Sequence, residues 1–330
     1  MKITKTEIRE ICMLAMEKHK IPGLTAALVQ NGQITKSIAL GVRDDNGDPM
    51  TEDTLFEAAS LTKSLFAVWF LGLCDKGILK LDEPVVRQGA PRWSEDPCFD
   101  LVTPRQALCH GTGLPNWDDQ PLPFLFTPGT SYSYSGEGYF LLQHLACETL
   151  GKTWEDWPAF MEEAFFGPWG IDTSVCWEPS IGKRMSAGFG VDGAVRKRRM
   201  AEDKKDRSPE PNSAWSLYAN ANIYAQFLCH LMDDHCGLSD KSFDELHRPQ
   251  NHAGDGVDWG LGFGLSDGCL WHWGDNRGFK NFSIFDPETK DAVCIFTNSD
   301  LGMNCYFDIL KQITDSSVFT DIENFINSAE

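Results

Sequence analysis

Apolar positions near the start of the chain recur at helical spacing. Ile8, Ile11, Leu14 and Ala15 share one face, behind Thr4-x-x-Glu7, a capping box that opens a helix. Pro22-Gly23 stops it. The period then shortens: Leu24 to Gln30 is apolar and β-branched, Asn31-Gly32 is a two-residue hairpin turn, and Gln33 to Val42 reads as the return strand. Asp44 to Pro49 is a further turn. From Ser60 to Gly77 the pattern is helical again, with Leu65, Phe66, Trp69, Phe70 and Leu73 on one side. Tyr139 to Leu150, closed by Gly151, and Ala219 to Met232 read as two more helices, the second against the weak propensity of its asparagines. Asn281 to Phe285 and Ala292 to Thr297 flank a turn at Asp286 to Lys290, and Met303 to Ile313 reads as a closing helix.

Strands thus fall at both ends of the chain and helices in the middle. That order predicts an α/β fold: an antiparallel sheet assembled from both chain ends and flanked by terminal helices, with a mostly helical domain inserted. The expected division is 1–58 with 255–330 for the sheet domain and 59–254 for the helical one, with the active site between them. A chain of 330 residues, 42% of them hydrophobic, buries such a core without covalent staples.

Composition narrows the partners. A formal net charge of -19 repels polyphosphates and argues against nucleic-acid binding. The basic cluster Arg196-Lys197-Arg198-Arg199, with Lys204 and Lys205, lies among Pro209, Pro211 and acidic residues and reads as a solvated loop. Eleven cysteines, an odd number without a CxxC pair, suit free thiols in a reducing compartment. The charged N-terminal segment lacks the apolar run of a signal peptide, and the longest apolar stretch, Leu65 to Cys74, is too short to span a bilayer. The expectation is a cytoplasmic protein with no membrane contact. Cys229-His230 and His235-Cys236 resemble metal pairs, but adjacent helical residues point in different directions, so no metal site is expected.

Three segments carry chemistry. Ser60-Leu61-Thr62-Lys63 places a lysine three residues after a serine at the start of an apolar helix, so both share a face. A serine hydroxyl needs a base to become a nucleophile, and lysine serves only when burial lowers its pKa. Lys63 sits in a small, apolar run from Ala58 to Ala67, where a charge is costly. Alone, this tetrad is commonplace, a capping serine and a solvated lysine. The second segment, Ser131 to Tyr139 after Pro128-Gly129, is turn-rich and presents Tyr134, which can pass a proton to a leaving group, with Lys63 favouring its anionic form. The third is Trp271-His272-Trp273-Gly274-Asp275-Asn276, where Gly274 permits close approach of a ligand to the backbone and the following N–H can complete an oxyanion hole.

In this order the three resemble the S-x-x-K, Y-x-N and K-T-G-type motifs of serine β-lactamases and penicillin-binding proteins. The similarity is greatest to the class C-like branch of esterases, D-amino-acid amidases and lovastatin-type acyltransferases, where the third motif is often H-x-G. Asp53 to Phe56, Lys76 to Val85, His110 to Pro115 and Trp259 to Gly264 look like family segments too, so the resemblance covers roughly residues 5–315.

The resemblance implies a β-lactamase/transpeptidase-like fold, with Ser60 as acylated nucleophile, Lys63 as its base and Tyr134 as proton shuttle. His272 stands where many relatives carry lysine and is expected to hydrogen-bond near Tyr134. The N–H groups of Ser60 and Asp275 would hold the oxyanion. No metal or organic cofactor is implied. Two departures matter: Gly136 occupies the asparagine position of Y-x-N, and His272 replaces the lysine that attracts a β-lactam carboxylate. Both favour uncharged acyl groups, as do the candidate pocket aromatics Trp215, Tyr218, Tyr224, Trp271 and Trp273. The expected function is therefore hydrolysis of a small-molecule ester or amide through a Ser60 acyl-enzyme. Transfer of the acyl group to an alcohol or amine, weak β-lactamase activity and an inactive binding protein on this fold stay open. So does a D-amino-acid peptidase or amidase, with Asp118, Asp119 or Glu137 as amine anchor.

Overall fold

The computed structural model describes residues 3–197, 210–254, 256–314 and 318–329. The first helix, Lys5–His19, has the Thr4/Glu7 capping box in place and ends at Lys20 in a left-handed turn. The strands Gly23–Gln30 and Gln33–Gly41 pair as the Asn31-Gly32 hairpin. Gly23–Gln30 is buried along its length except for the last residue, because it is an interior strand covered on both faces. Its other neighbour comes from the far end of the chain: Leu24 pairs with Thr297 and Val29 with Ala292.

Among the described residues, the main sheet has eight antiparallel strands. From one edge the order runs Gln33–Gly41, Gly23–Gln30, Asp291–Thr297, Phe279–Asp286, Cys269–Asn276, Gly264–Ser266, Val257–Trp259 and Asn251–Gly254. The fold class read from the sequence is the one observed, a mixed α/β structure on a large antiparallel sheet. Helices Lys5–His19 and Gly302–Ile313 pack together beside the sheet, and Ala221–Asp233 lies on its first two strands and Asp291–Thr297.

Three differences have physical reasons. The segment Trp271 to Asn276 lies in a strand rather than before one, since its alternation is masked by near-continuous burial. Asn220 is the N-cap of the Ala221–Asp233 helix and accepts the Ile223 N–H, so the asparagine that weakened the helical pattern opens it instead. The helix Val318–Ala329 was not anticipated; its apolar positions Val318, Phe319, Ile322, Phe325 and Ile326 are buried. Of the basic cluster, Arg198, Arg199, Lys204 and Lys205 lie outside the described residues. No helix among the described residues is long and apolar enough to cross a membrane.

One buried side chain ties together segments far apart in the chain. Asn298 accepts the Gly23 N–H at 2.7 Å and donates to the Val42 carbonyl at 3.0 Å and to Ser186 Oγ at 2.9 Å. Asn298→Ala should therefore leave buried groups unpaired and cost about 2–3 kcal/mol in urea unfolding. A shift no larger than that of an exposed substitution would show that these bonds are replaced without loss.

Candidate active site

Ser60 lies in a tight turn, Ala59–Leu61, that leads into the helix Thr62–Asp75. The turn is strained, with Ala59 at φ 52°, a left-handed conformation costly for a residue with a side chain. It is held from two sides. Thr62 Oγ1 donates to the Ala59 carbonyl at 2.6 Å and accepts the Leu217 N–H at 3.0 Å, while the Ala58 N–H bonds the Leu217 carbonyl at 2.8 Å. On the other flank Asn281 Nδ2 donates to the Glu57 carbonyl at 2.8 Å.

Lys63 Nζ stands 3.1 Å from Ser60 Oγ and donates to the Ala214 carbonyl at 2.9 Å. It also faces two rings, Tyr134 at 4.7 Å and Tyr139 at 5.6 Å from the centroids. With the side chain 1% exposed, burial drives its pKa well below 10.5, which favours the neutral amine that a base requires. Tyr134 is displaced in the opposite sense. Burial raises its pKa, the nearby Ser60 hydroxyl offsets part of that, and the Asp275 charge adds to it. The hydroxyl has no well-aligned hydrogen-bond partner among the described residues. The anionic tyrosine expected from Lys63 is therefore disfavoured: burial favours the phenol, and a Lys63 held neutral supplies no cation to oppose it.

The strand Cys269–Asn276 forms the opposite wall. Its neighbour Gly264–Ser266 ends opposite Trp271, so its second half has no partner strand on that side and runs past the Ser60 turn. Gly274 is required there by the protein's own backbone rather than by a ligand, because a Cβ would sit 2.1 Å from the Ala58 carbonyl oxygen. The next residue, Asp275, lines the cavity and pairs with Lys280.

A cavity of about 560 Å³ opens over these groups, lined by Ser60, Lys63, Tyr134, Trp215, Trp273 and Asp275, all expected from the sequence. Asn116, Trp117, Lys197 and Asn276 complete the lining and were not anticipated. Asn116 and Trp117 follow directly on the family-like segment His110 to Pro115, which was the available signal. Lys197, read as part of a solvated loop, instead binds buried Glu57 at 2.5 Å, and Asn276 Nδ2 bonds the same carboxylate at 2.8 Å. Charge alone could not separate it from its basic neighbours.

Three expected residues sit outside the lining. Gly136 is covered by the Trp117 ring, since a Cβ would lie 2.3 Å from it, and its N–H is bonded by Asn116 Oδ1 at 2.9 Å. Gly274 lies behind the wall. His272 is fully buried and bonds not toward Tyr134 but to the Trp273 carbonyl, Nδ1 donating at 2.7 Å. Its ring centroid is 6.2 Å from that of Tyr134, and Nε2 has no partner among the described residues. Of the other candidate aromatics, Tyr218, Tyr224 and Trp271 belong to the core. Asp118, Asp119 and Glu137 do not line the cavity.

The beta-lactamase family profile matches residues 11–310. Esterase EstB of Burkholderia gladioli is 38% identical over 107 residues, 31% of this chain and 27% of EstB. A beta-lactamase of Pseudomonas fluorescens is 30% identical over 155 residues, 42% of each chain. The chain thus spans less than half the length of either relative. A solved class C beta-lactamase superposes with a TM-score of 0.77 at 18% identity, covering 96% of this chain and 99% of that one, and so shares the fold.

Burial lowers the His272 pKa to about 3 from 6.5, against the bond to Trp273. Below pH 6.5 the unfolded chain takes up a proton that the folded ring refuses, so stability should fall as pH drops toward 3. Urea unfolding of His272→Gln should show a shallower acid decline than the parent; an unchanged slope would contradict the assignment.

Proposed function

The chain belongs to the beta-lactamase family of serine hydrolases, and on that footing we propose that it cleaves small, uncharged esters, and amides less readily, through an acyl-enzyme on Ser60. The observation that carries this reading is the buried Lys63 amine at 3.1 Å from the Ser60 hydroxyl, with no carboxylate bonded to it among the described residues.

In acylation, neutral Lys63 takes the Ser60 proton as Oγ attacks the acyl carbonyl. The N–H groups of Ser60 and Asp275 hold the resulting oxyanion. Tyr134, a phenol at rest, gives its proton to the departing alkoxide as the C–O bond breaks, and recovers one from Lys63. Water then attacks the acyl carbon and loses a proton to the Tyr134–Lys63 pair, which returns it to Ser60 Oγ as the acyl C–O bond breaks and the acid leaves.

The cavity wall supports an uncharged substrate. Its two lysines are both engaged, Lys63 by Ser60 and the Ala214 carbonyl and Lys197 by Glu57, which leaves little to draw a substrate carboxylate. Trp117, Trp215 and Trp273 offer flat apolar surface for an acyl or alcohol group. The same wall disfavours β-lactams, and the absence of Asp118, Asp119 and Glu137 from the lining disfavours a free-amine anchor. A cytoplasmic location is part of this proposal and rests on the odd set of free thiols.

Ser60→Ala should lower p-nitrophenyl ester turnover roughly a thousandfold or more with an unchanged thermal transition. Lys63→Ala should fail before the acyl adduct forms, and Tyr134→Phe should slow its formation and its loss. Undiminished turnover in Ser60→Ala would overturn the proposal. An adduct on the parent that clears only when an alcohol or amine is added would replace hydrolysis by acyl transfer.

A further inference from the structure

Among the described residues the Tyr134 hydroxyl is held by no well-aligned hydrogen bond, so its place beside Ser60 is set from its backbone and its ring. One residue reaches both. The His110 carbonyl accepts the Ser133 N–H at 2.9 Å, and His110 Nδ1 accepts the Ser135 N–H at 3.1 Å, so the peptide is gripped on either side of Tyr134. The His110 ring then lies against the Tyr134 ring, centroids 4.2 Å apart at 32°.

We propose that His110 is the positioning residue for Tyr134, acting through the Nδ1 bond to Ser135 and the stacked ring; the proposal rests on the acyl-enzyme reading above. His110 is not itself part of the cavity lining, reaches the site only through Tyr134 and its backbone, and performs no proton transfer.

The site tolerates two costs that favour placement over stability. His110 adopts φ 57°, a left-handed backbone conformation uncommon for any residue but glycine, although histidine enters it more readily than most. Because the Ser135 N–H can only donate, Nδ1 must be bare, and the neutral ring carries its proton on Nε2, which is buried without a partner among the described residues. A ring retained only for packing would not need an imidazole. Tyr132, Tyr139 and Trp259 surround the same ring and fix it in turn.

The test is a double-mutant cycle on ester turnover. His110→Phe keeps a ring without the acceptor; His110→Asn restores an acceptor and accepts the left-handed backbone; His110→Gly relieves the backbone should the phenylalanine variant not fold. His110→Phe should lower kcat roughly a hundredfold with KM little changed, as a small displacement of a proton donor does. His110→Asn should recover part of that loss. In a Tyr134→Phe background the His110 substitutions should add no further loss. An equal loss in both backgrounds, or none in the parent, would overturn the proposal. If the parent turns over no ester, the acyl-enzyme reading fails by itself, and crystal structures of the variants decide the role of His110. A displaced Tyr134 ring would support it, and an unmoved one would overturn it.

Discussion

The site depends on an amine kept out of water with no anion bonded to it among the described residues. A lysine side chain 1% exposed and bonded to a hydroxyl and a carbonyl is unstable as an ammonium, and the protein relieves that instability by lowering its proton affinity. The nearby groups follow from that choice. A carboxylate beside Lys63 would restore the charge and remove the base. Aromatic rings, neutral histidines and a backbone carbonyl do not. Tyr134, His110 and His272 surround the amine in uncharged forms for the same reason, since each is desolvated and none is offered a counter-ion.

Keeping the amine next to Ser60 requires the sheet and the segment around Leu217 to meet at one strained turn. Glu57 illustrates how this is done with few atoms. Its carbonyl is bonded by Asn281 from the sheet, and one oxygen of its carboxylate by both Lys197 and Asn276 of the cavity lining. Gly274 lets the strand run against Ala58 without a side chain between them. Strain at Ala59 is the local consequence, and the bonds through Thr62 and Leu217 hold it.

The parts of this arrangement that were legible in the sequence are local or periodic. The Thr4/Glu7 box, the Asn31-Gly32 hairpin and the closing strands are set by neighbours in the chain, and their pairing into one sheet follows from strands lying at both ends. Ser60, Lys63 and Tyr134 were legible because the tetrad and the tyrosine loop have fixed spacing. What the pattern could not supply is contact between distant segments. Lys197 looks like its basic neighbours until Glu57, 140 residues away, is placed beside it. His272 occupies a motif position yet turns its Nδ1 back to its own strand, and Gly136 proves to be the floor under Trp117. Those outcomes depend on which ring fills which space, and periodicity carries no such information.

The central claim is that Ser60 is activated by a lysine whose proton affinity has been lowered by burial. It is tested most directly by the pH dependence of Ser60 labelling by a fluorophosphonate, followed by intact mass. The account predicts a labelling rate that reaches its plateau well below pH 10.5, the ordinary value for lysine. A rate that keeps climbing until that pH would mean that Lys63 is an ordinary ammonium in the folded protein, and would contradict it.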